Sequence, residues 1–338
     1  MSFPFQWPYR ASRDGLWTPQ TSTLNWCEED YNITPYCAEF INTVTNLIFM
    51  YLGIMGIRDC LRYGHGSVFI VSYLGYMIVG LGSMAFHATL KYSMQLADEL
   101  PMIYTTCIMA YATFAYSSSR RSSLLIGFSL ASLAIFITVY YHMSQNPVFH
   151  QVAYASLTCA VVFRGMYDME AILRPALRKR CDTPAHADQM MKQMWLMAAT
   201  GECHNAPCHI LNQLLGTLIE FETAGIAFFL VGFSIWILDN VFCAHLRSAR
   251  STILLPWAIL LEGHGWWHIF TGIGAYYFII WRVWLTRCLD GSEREFMLQW
   301  PSPFTSVPKV VSRPRYVPKQ HSNGVTKRVT RSTSKKEL

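Results

Sequence analysis

The chain has 338 residues, of which 52% are hydrophobic, 14% are aromatic and only 14% are charged. A soluble domain carries about a quarter charged residues, so this composition excludes an ordinary soluble globule, a collagen and, for most of its length, a disordered chain. The net charge of +6 comes from basic residues in a few loops and in the C-terminal tail. This distribution indicates a membrane protein rather than a nucleic-acid-binding protein.

The apolar residues fall into long continuous stretches. A helix needs about 20 mostly apolar residues to cross a bilayer, and seven stretches meet this requirement. The sequence therefore predicts an all-α membrane protein, a seven-transmembrane helix bundle. The predicted spans are residues 38–57, 68–88, 96–116, 122–141, 148–168, 222–242 and 253–284.

These spans divide the chain into three regions. Residues 1–37 form an N-terminal segment, residues 38–290 form the membrane domain with a long loop at 174–215, and residues 291–338 form a tail. Loops on the cytosolic side carry an excess of Lys and Arg. Because the basic groups Arg120-Arg121 and Arg178-Lys179-Arg180 lie on the side opposite the N-terminus, we expect a lumenal N-terminus and a cytosolic C-terminus.

The long loop at 174–215 contains a short apolar pattern. Five apolar residues recur at near-helical spacing, which indicates either an interfacial helix or a helix that packs under the bundle. These residues are Met190, Met191, Met194, Trp195 and Met197. Cys203-His204 and Cys208-His209 follow, but their spacing fits neither a zinc finger nor a haem attachment site.

The tail at 291–338 is basic and, from residue 301 onward, rich in Pro and Ser, which predicts a disordered cytosolic segment. The chain ends with Lys335-Lys336-Glu337-Leu338. The two lysines match a cytosolic dilysine retrieval signal of the endoplasmic reticulum, which coat proteins recognise. A lumenal retention signal is the alternative, but it requires a lumenal C-terminus, which the charge distribution opposes.

Several ionisable residues lie inside the predicted spans, where such residues are costly and usually functional. Ser83 and His87 are four residues apart in the second span, and so are His264 and His268 in the seventh. Residues at this spacing share a helix face. With the expected orientation, these groups and Asp98 of the third span all lie in the lumenal half of the membrane.

Three histidines from two helices can form a zinc site with one position left for water, which is the arrangement of a catalytic zinc. The alternative is that the histidines only cap helices or form structural hydrogen bonds. Two histidines on one helix face, joined by His87 and Asp98 in the same half of the membrane, favour the intramembrane zinc site.

Five motifs, in order, resemble those of the alkaline ceramidase family, in particular a fungal-type member, and the similarity covers most of residues 10–290. They are Ser22-Thr23-Leu24-Asn25-Trp26-Cys27-Glu28-Glu29-Asp30-Tyr31, Gly82-Ser83-Met84-Ala85-Phe86-His87, Met94-Gln95-Leu96-Ala97-Asp98-Glu99-Leu100-Pro101-Met102, Phe149-His150-Gln151-Val152 and His264-Gly265-Trp266-Trp267-His268.

The resemblance implies a zinc-dependent hydrolase of the amide bond of ceramides, with phytoceramide or dihydroceramide as the substrate of a fungal-type member. It implies zinc ligation by His87, His264 and His268 and catalytic roles for Ser83 and Asp98. Asp98 is expected to act as a general base. Ser83 is expected to donate a hydrogen bond to the developing oxyanion, although back-bonding to a helix carbonyl is the alternative for a serine in a membrane helix.

The resemblance also implies a structural or regulatory calcium site in the N-terminal segment. Its ligands would be Asn25, the Trp26 carbonyl, Glu28, Asp30 and Glu39, and oxygen ligands of this kind suit calcium. The family commonly has Asp at the first of these positions and Asn at the fourth. Because the two changes exchange charge, the number of carboxylates is unchanged. A solvated acidic cap on the first span is the alternative interpretation.

Two covalent features are expected on the lumenal side. A disulfide between Cys27 and Cys243 would tie the calcium segment to the loop after the sixth span, with Cys37 as the alternative partner. Asn32-Ile33-Thr34 is a glycosylation sequon, but it lies among the expected calcium ligands.

The expected location is the membrane of the endoplasmic reticulum or the Golgi. Two other functions stay open. One is a zinc hydrolase that acts on another lipid, such as an enzyme that remodels GPI anchors. The other is a seven-helix receptor of the adiponectin-receptor kind, whose orientation is opposite to the one expected here.

Overall fold

The computed structural model describes residues 7–181, 183–199, 224–299 and 307–313. Within these ranges the protein is mostly helical. The α-helices are α1 Phe40–Thr45, α2 Leu47–Tyr63, α3 Ser67–Thr89, α4 Tyr92–Phe114, α5 Arg120–Ser144, α6 Pro147–Tyr167, α7 Arg174–Arg180, α8 Pro184–Ala199, α9 Ala224–Val241, α10 Cys243–Ile253 and α11 Gly263–Leu289. A π-helical turn, Asp168–Leu173, joins α6 to α7, and a 3-10 turn, Trp257–Leu261, precedes α11.

Four helical segments in the described ranges are long and apolar enough to cross a membrane. They are Phe40–Tyr63, Ser67–Thr89, Arg120–Ser144 and Gly263–Leu289. A fifth candidate is the pair Phe228–Val241 and Cys243–Ile253, which is bent by 88°. The chain is therefore an all-α membrane protein. Helices α4 and α6 occupy the third and fifth predicted spans, but the count of seven crossings stays a prediction.

The seventh predicted span begins later than the sequence pattern suggests. We expected it to start at residue 253, but α11 starts at Gly263. Leu254 has a positive φ of 68°, and Pro256 lacks the N–H group that a helix needs in its interior. These two residues end α10 and separate it from α11.

The segment after α6 packs against the bundle. Met190, Met191 and Met194 of α8 are buried in the same core as Trp281 and Trp284 of α11. Of the two interpretations of this loop, the packed helix is therefore the one that the structure has. Residues 200–223, with the Cys203-His204 and Cys208-His209 pairs, lie outside the described residues.

The predicted disorder of the tail is wrong for two short strands. Strand β1, Phe296–Gln299, pairs antiparallel with β2, Lys309–Ser312, and Phe296 is opposite Ser312. Val310 is buried, and its carbonyl lies 3.0 Å from Nε2 of His65. Alternating apolar side chains in β1 attach this hairpin to the bundle despite its basic flanks. The terminal Lys335-Lys336-Glu337-Leu338 lies outside the described residues.

Helices α3 and α4 approach each other very closely at Gly82. A Cβ atom added to Gly82 would lie 1.9 Å from the carbonyl oxygen of Ala97. Only glycine permits this backbone contact. Since Ser83 and Asp98 are the next residues in the two helices, the contact fixes their relative position.

We predict that Gly82→Ala destabilises the protein by about 1–3 kcal/mol, because the added methyl group must push α3 away from α4. Gly127→Ala in α5 is the matched control, since its Cβ would meet Tyr111 at an ordinary 3.6 Å and alanine is the better helix former. Thermal unfolding of the purified protein in detergent measures both effects. Equal unfolding midpoints for the two variants would contradict the close contact.

Candidate metal centre

Three imidazoles converge between α3 and α11. His87 lies near the C-terminal end of α3, and His264 and His268 occupy the first two turns of α11. One ligand atom from each ring lies within 4.8 Å of those of the other two. All three side chains are buried, with at most 5% of their surface exposed. This group could hold a metal ion, and in the described part of the chain it is the one cluster of His, Cys, Asp or Glu that meets this criterion.

Polar groups of the first span hold two of the rings. Nδ1 of His87 contacts the carboxylate of Glu39, and Nδ1 of His268 lies 3.0 Å from Oγ1 of Thr45. The same Nδ1 atom lies 3.2 Å from the side-chain amide nitrogen of Asn46. Both rings are therefore fixed through Nδ1, which leaves Nε2 for an ion. Partners of this kind set the tautomer of metal-binding histidines.

His264 is held differently. Its Nδ1 atom is buried and has no hydrogen-bond partner in the described residues, which is unusual for a buried polar atom. The indole of Trp26 stacks on the ring at 4.2 Å between centroids and 20° between planes. A buried nitrogen without a partner, in a set of three close imidazoles, fits a site built for a metal ion such as zinc.

Ser83 and Asp98 form a second pair beside the imidazoles. Ser83 is buried one helical turn before His87, and it interacts with Asp98 of the neighbouring helix α4. The pair links the α3 face that carries His87 to α4.

A buried ion-pair cluster fixes the start of α11. Arg250 is fully buried and lies 3.2 Å from both Asp239 and Glu262. The Tyr9 hydroxyl donates to Glu262 at 2.6 Å, and Asp239 accepts from the Gly263 amide at 3.1 Å. Because Gly263 precedes His264, the cluster positions that histidine. No local sequence pattern distinguishes Arg250 from an ordinary loop cation.

The polar partners of the imidazoles follow a spacing in the sequence that the predictions above did not include. Glu39, Asn42 and Asn46 are spaced three and four residues apart at the start of an otherwise apolar span. This spacing places them on one helix face, and all three are buried. Glu39 was assigned only to calcium, whereas in the structure its carboxylate also contacts His87.

The five expected calcium ligands lie in one segment but are engaged with other groups. The Glu28 carboxylate accepts from the backbone amides of Ile41 and Asn42, both at 2.8 Å, and thereby caps α1. The Glu39 carboxylate accepts from the Trp26 amide at 3.1 Å. Among the described residues, the carboxylates of this segment do not form a close group of three comparable to the imidazoles.

The other two side chains of the segment lie closer to solvent. The exposed Asn25 side chain donates to Asp30 at 3.2 Å. The second oxygen of Asp30, Oδ1, is buried and has no partner among the described residues. An oxygen of this kind is available to a cation. The Trp26 carbonyl accepts a long hydrogen bond of 3.4 Å from Arg247.

This segment carries an excess of buried negative charge. Burial, together with repulsion from Glu262 and Glu39, raises the pKa of Glu28 well above its ordinary value. Burial and repulsion from Glu39 raise the pKa of Asp30 to about 6. Carboxyl groups whose charged form is disfavoured in this way gain stability from a nearby cation.

The expected disulfide is present in the structure. Cys27 and Cys243 form a disulfide across 216 residues of sequence, while Cys37, the alternative partner, is a free thiol. The bond attaches the N-terminal segment to the start of α10. Asn32 of the sequon is buried, and its side-chain oxygen accepts from the Arg10 amide at 2.8 Å.

Comparisons with known proteins agree on one family. The Ceramidase family model matches residues 18–311. Alkaline ceramidase 3 of Mus musculus is 36% identical over 284 residues, which cover 82% of this chain and 89% of that protein. Alkaline ceramidase YPC1 of Saccharomyces cerevisiae is 34% identical over 281 residues, which cover 82% and 80%. Alkaline ceramidase of Arabidopsis thaliana is 26% identical over 266 residues, which cover 78% and 84%.

Proposed function

The chain belongs to the ceramidase family, as its motifs predict, and we propose that it is a zinc-dependent alkaline ceramidase. It hydrolyses the amide bond of ceramides to a free fatty acid and a sphingoid base. The observation that carries the proposal is that His87, His264 and His268 converge, with ligand atoms within 4.8 Å of one another. His87 lies on the same face of α3 as Ser83.

His87, His264 and His268 would hold the zinc ion. A zinc ion bound by three imidazoles supplies Lewis-acid polarisation of a carbonyl and lowers the pKa of bound water to roughly 7. The buried surroundings of the rings keep competing water away, which strengthens electrostatic interactions inside the site.

Asp98 supplies the proton transfers. As general base it takes a proton from water while the water oxygen bonds to the amide carbon. As the carbon–nitrogen bond breaks, Asp98 delivers this proton to the leaving amine. Ser83, which interacts with Asp98, would orient the carboxylate before the reaction, and its hydroxyl would donate to the developing oxyanion once Asp98 is protonated.

We further propose that the N-terminal segment binds calcium through Asn25, the Trp26 carbonyl, Glu28, Asp30 and Glu39. The excess of buried carboxylates and the unpartnered Oδ1 atom of Asp30 support this proposal. Glu28 and Glu39 must give up part of their present hydrogen bonding to ligate the ion. Since Glu39 also contacts His87, an ion here stabilises the groups that hold the zinc ligands.

The remaining proposals concern location and substrate. We propose seven membrane crossings with a lumenal N-terminus and a cytosolic C-terminus, in the membrane of the endoplasmic reticulum or the Golgi.

A preference for phytoceramide or dihydroceramide stays a prediction, which a hydrolysis assay on a panel of purified lipids tests. The same panel, extended to GPI-anchor lipids, tests the alternative of another lipid hydrolase.

We predict that His264→Ala and His268→Ala each remove bound zinc and lower ceramide hydrolysis by more than about 100-fold, since loss of a ligand costs more than loss of an outer-shell partner. His142→Ala is the control, because His142 is an exposed histidine outside the cluster. Elemental analysis of the purified protein gives zinc per chain, and product release gives turnover. Full turnover in a zinc-free variant would exclude the metal mechanism.

We predict that Asp98→Asn keeps its zinc but loses hydrolysis by about 10²–10⁴-fold, because the amide cannot accept the proton. Glu99→Gln is the matched control: it alters the adjacent carboxylate, which instead accepts from Gln95 at 3.1 Å and from Tyr141. Zinc content and turnover are measured on both variants. If the two variants lost activity equally, Asp98 would not be the base.

We predict that calcium raises the unfolding midpoint of the parent protein and of Glu29→Ala, but not that of Asp30→Ala. Saturation to 100 times the dissociation constant stabilises a folded protein by about 2.7 kcal/mol. The two variants each remove one acidic side chain, but only Asp30 has a buried oxygen without a partner in the described residues. Thermal unfolding with calcium or a chelator is the measurement. A parent protein indifferent to calcium would refute the site.

A further inference from the structure

A cavity of about 290 Å³ lies at the opposite end of the bundle from the three imidazoles. Its walls come from the turn between α2 and α3, the end of α4 and the last turns of α11. Thr286 is 18 residues after His268, and at 1.5 Å per residue this places the cavity about 27 Å from that histidine along α11. This distance is close to the thickness of the hydrocarbon core, so the cavity lies at the level of the lipid headgroups.

Arg287 lines this cavity and has no acidic partner. Its guanidinium donates to the Gly64 carbonyl at 2.6 Å, approaches Nδ1 of His65 at 3.3 Å and lies 4.2 Å from the centre of the Phe296 ring. Within the described residues it makes no salt bridge, and its Nη1 atom has no hydrogen-bond acceptor. A half-buried guanidinium that is anchored on one side, with donors left on the other, is suited to bind an anion.

Two further groups lie at the same space. Gly66 is the N-cap of α3 and has no side chain to cap it; the Phe69 N–H donates to the Gly66 carbonyl at 3.0 Å, and the N–H groups before it have no side-chain partner in the described residues. Thr286 is a lining residue of the cavity, and its Oγ1 atom, which is enclosed by protein and has no partner among the described residues, becomes a donor to an anion when the side chain turns toward the cavity. Helix N-termini and hydroxyl groups of this kind are common phosphate ligands.

The charge around the cavity favours a negatively charged group. Arg282 and Arg164 share one carboxylate, Asp168, at 3.0 Å each. The acid that lines the cavity, Asp290, is exposed and accepts from Tyr116 at 2.8 Å. A third carboxylate at this end, the buried Asp59, pairs with Arg58 at 3.6 Å, so the charge of Arg287 has no carboxylate within 4 Å among the described residues.

We propose that this cavity binds the phosphate group of a phospholipid, with Arg287, Thr286 and the N-terminus of α3 as its donors. Val68, Phe69 and Val283 supply apolar wall, which fits a lipid better than a soluble anion. The site is separate from the one where the amide is cleaved, and the inference does not depend on the proposed activity.

The test is calorimetric titration of the purified protein in dodecyl maltoside, a detergent without phosphate. The probes are dihexanoyl phosphatidic acid, dihexanoylglycerol, which has the same chains without the phosphate, and inorganic phosphate. We expect saturable binding of phosphatidic acid and none of dihexanoylglycerol. Inorganic phosphate should bind more weakly because it makes no apolar contact. Equal affinity for inorganic phosphate and phosphatidic acid would overturn the assignment to a lipid.

Three variants locate the binding. Arg287→Gln should raise the dissociation constant about tenfold or more, since a hydrogen bond to a charged group contributes that much. Arg62→Gln is the control: it removes the same charge from an exposed residue at the same end of the bundle. Ala112→Leu fills the cavity without changing charge and should abolish binding while the unfolding midpoint is kept. Equal effects of Arg287→Gln and Arg62→Gln, or full binding by Ala112→Leu, would refute the site.

Discussion

The contact between the Glu39 carboxylate and the His87 imidazole is the interaction on which the site depends. Both groups are buried where little water can solvate them, and neither is tolerable there without a fixed partner. The same carboxylate also accepts from the Trp26 amide. One side chain thus joins the N-terminal segment, the first span and the ring on α3, so the cluster of three imidazoles and the acidic segment form one structural unit.

Backbone geometry and a buried ion pair define the rest of the site. The absence of a side chain at Gly82 lets α3 and α4 touch, and this contact brings Ser83 to Asp98. On the other side, Arg250 holds Asp239 and Glu262 together at the start of α11. A buried guanidinium between two carboxylates is costly to desolvate, and through the Asp239 contact to the Gly263 amide this cluster sets the location of His264.

The sequence predicted the helical architecture and the three histidines well, because hydrophobic length and a four-residue spacing are local signals. It failed where the outcome depends on distant contacts. The burial of Met194 under the bundle and the pairing of β1 with β2 need partners that no local pattern reveals. Arg250 resembled a loop cation because its two carboxylates are each 11 or 12 residues away. The late start of α11 is the exception. Pro256 indicates a break in the helix, but the prediction of the seventh span relied on the continuous apolar stretch instead.

The link between Cys27 and Cys243 has a consequence for how the protein matures. The N-terminal segment and the region before α11 meet at this disulfide. The strand-like pairing of Trp7 with Leu255 and the hydrogen bond from Tyr9 to Glu262 lie beside it. A ribosome makes residues 7–39 long before residues 243–268. The early segment must therefore wait without these partners until most of the helices have been made, and the three imidazoles cannot come together until the start of α11 has been synthesised.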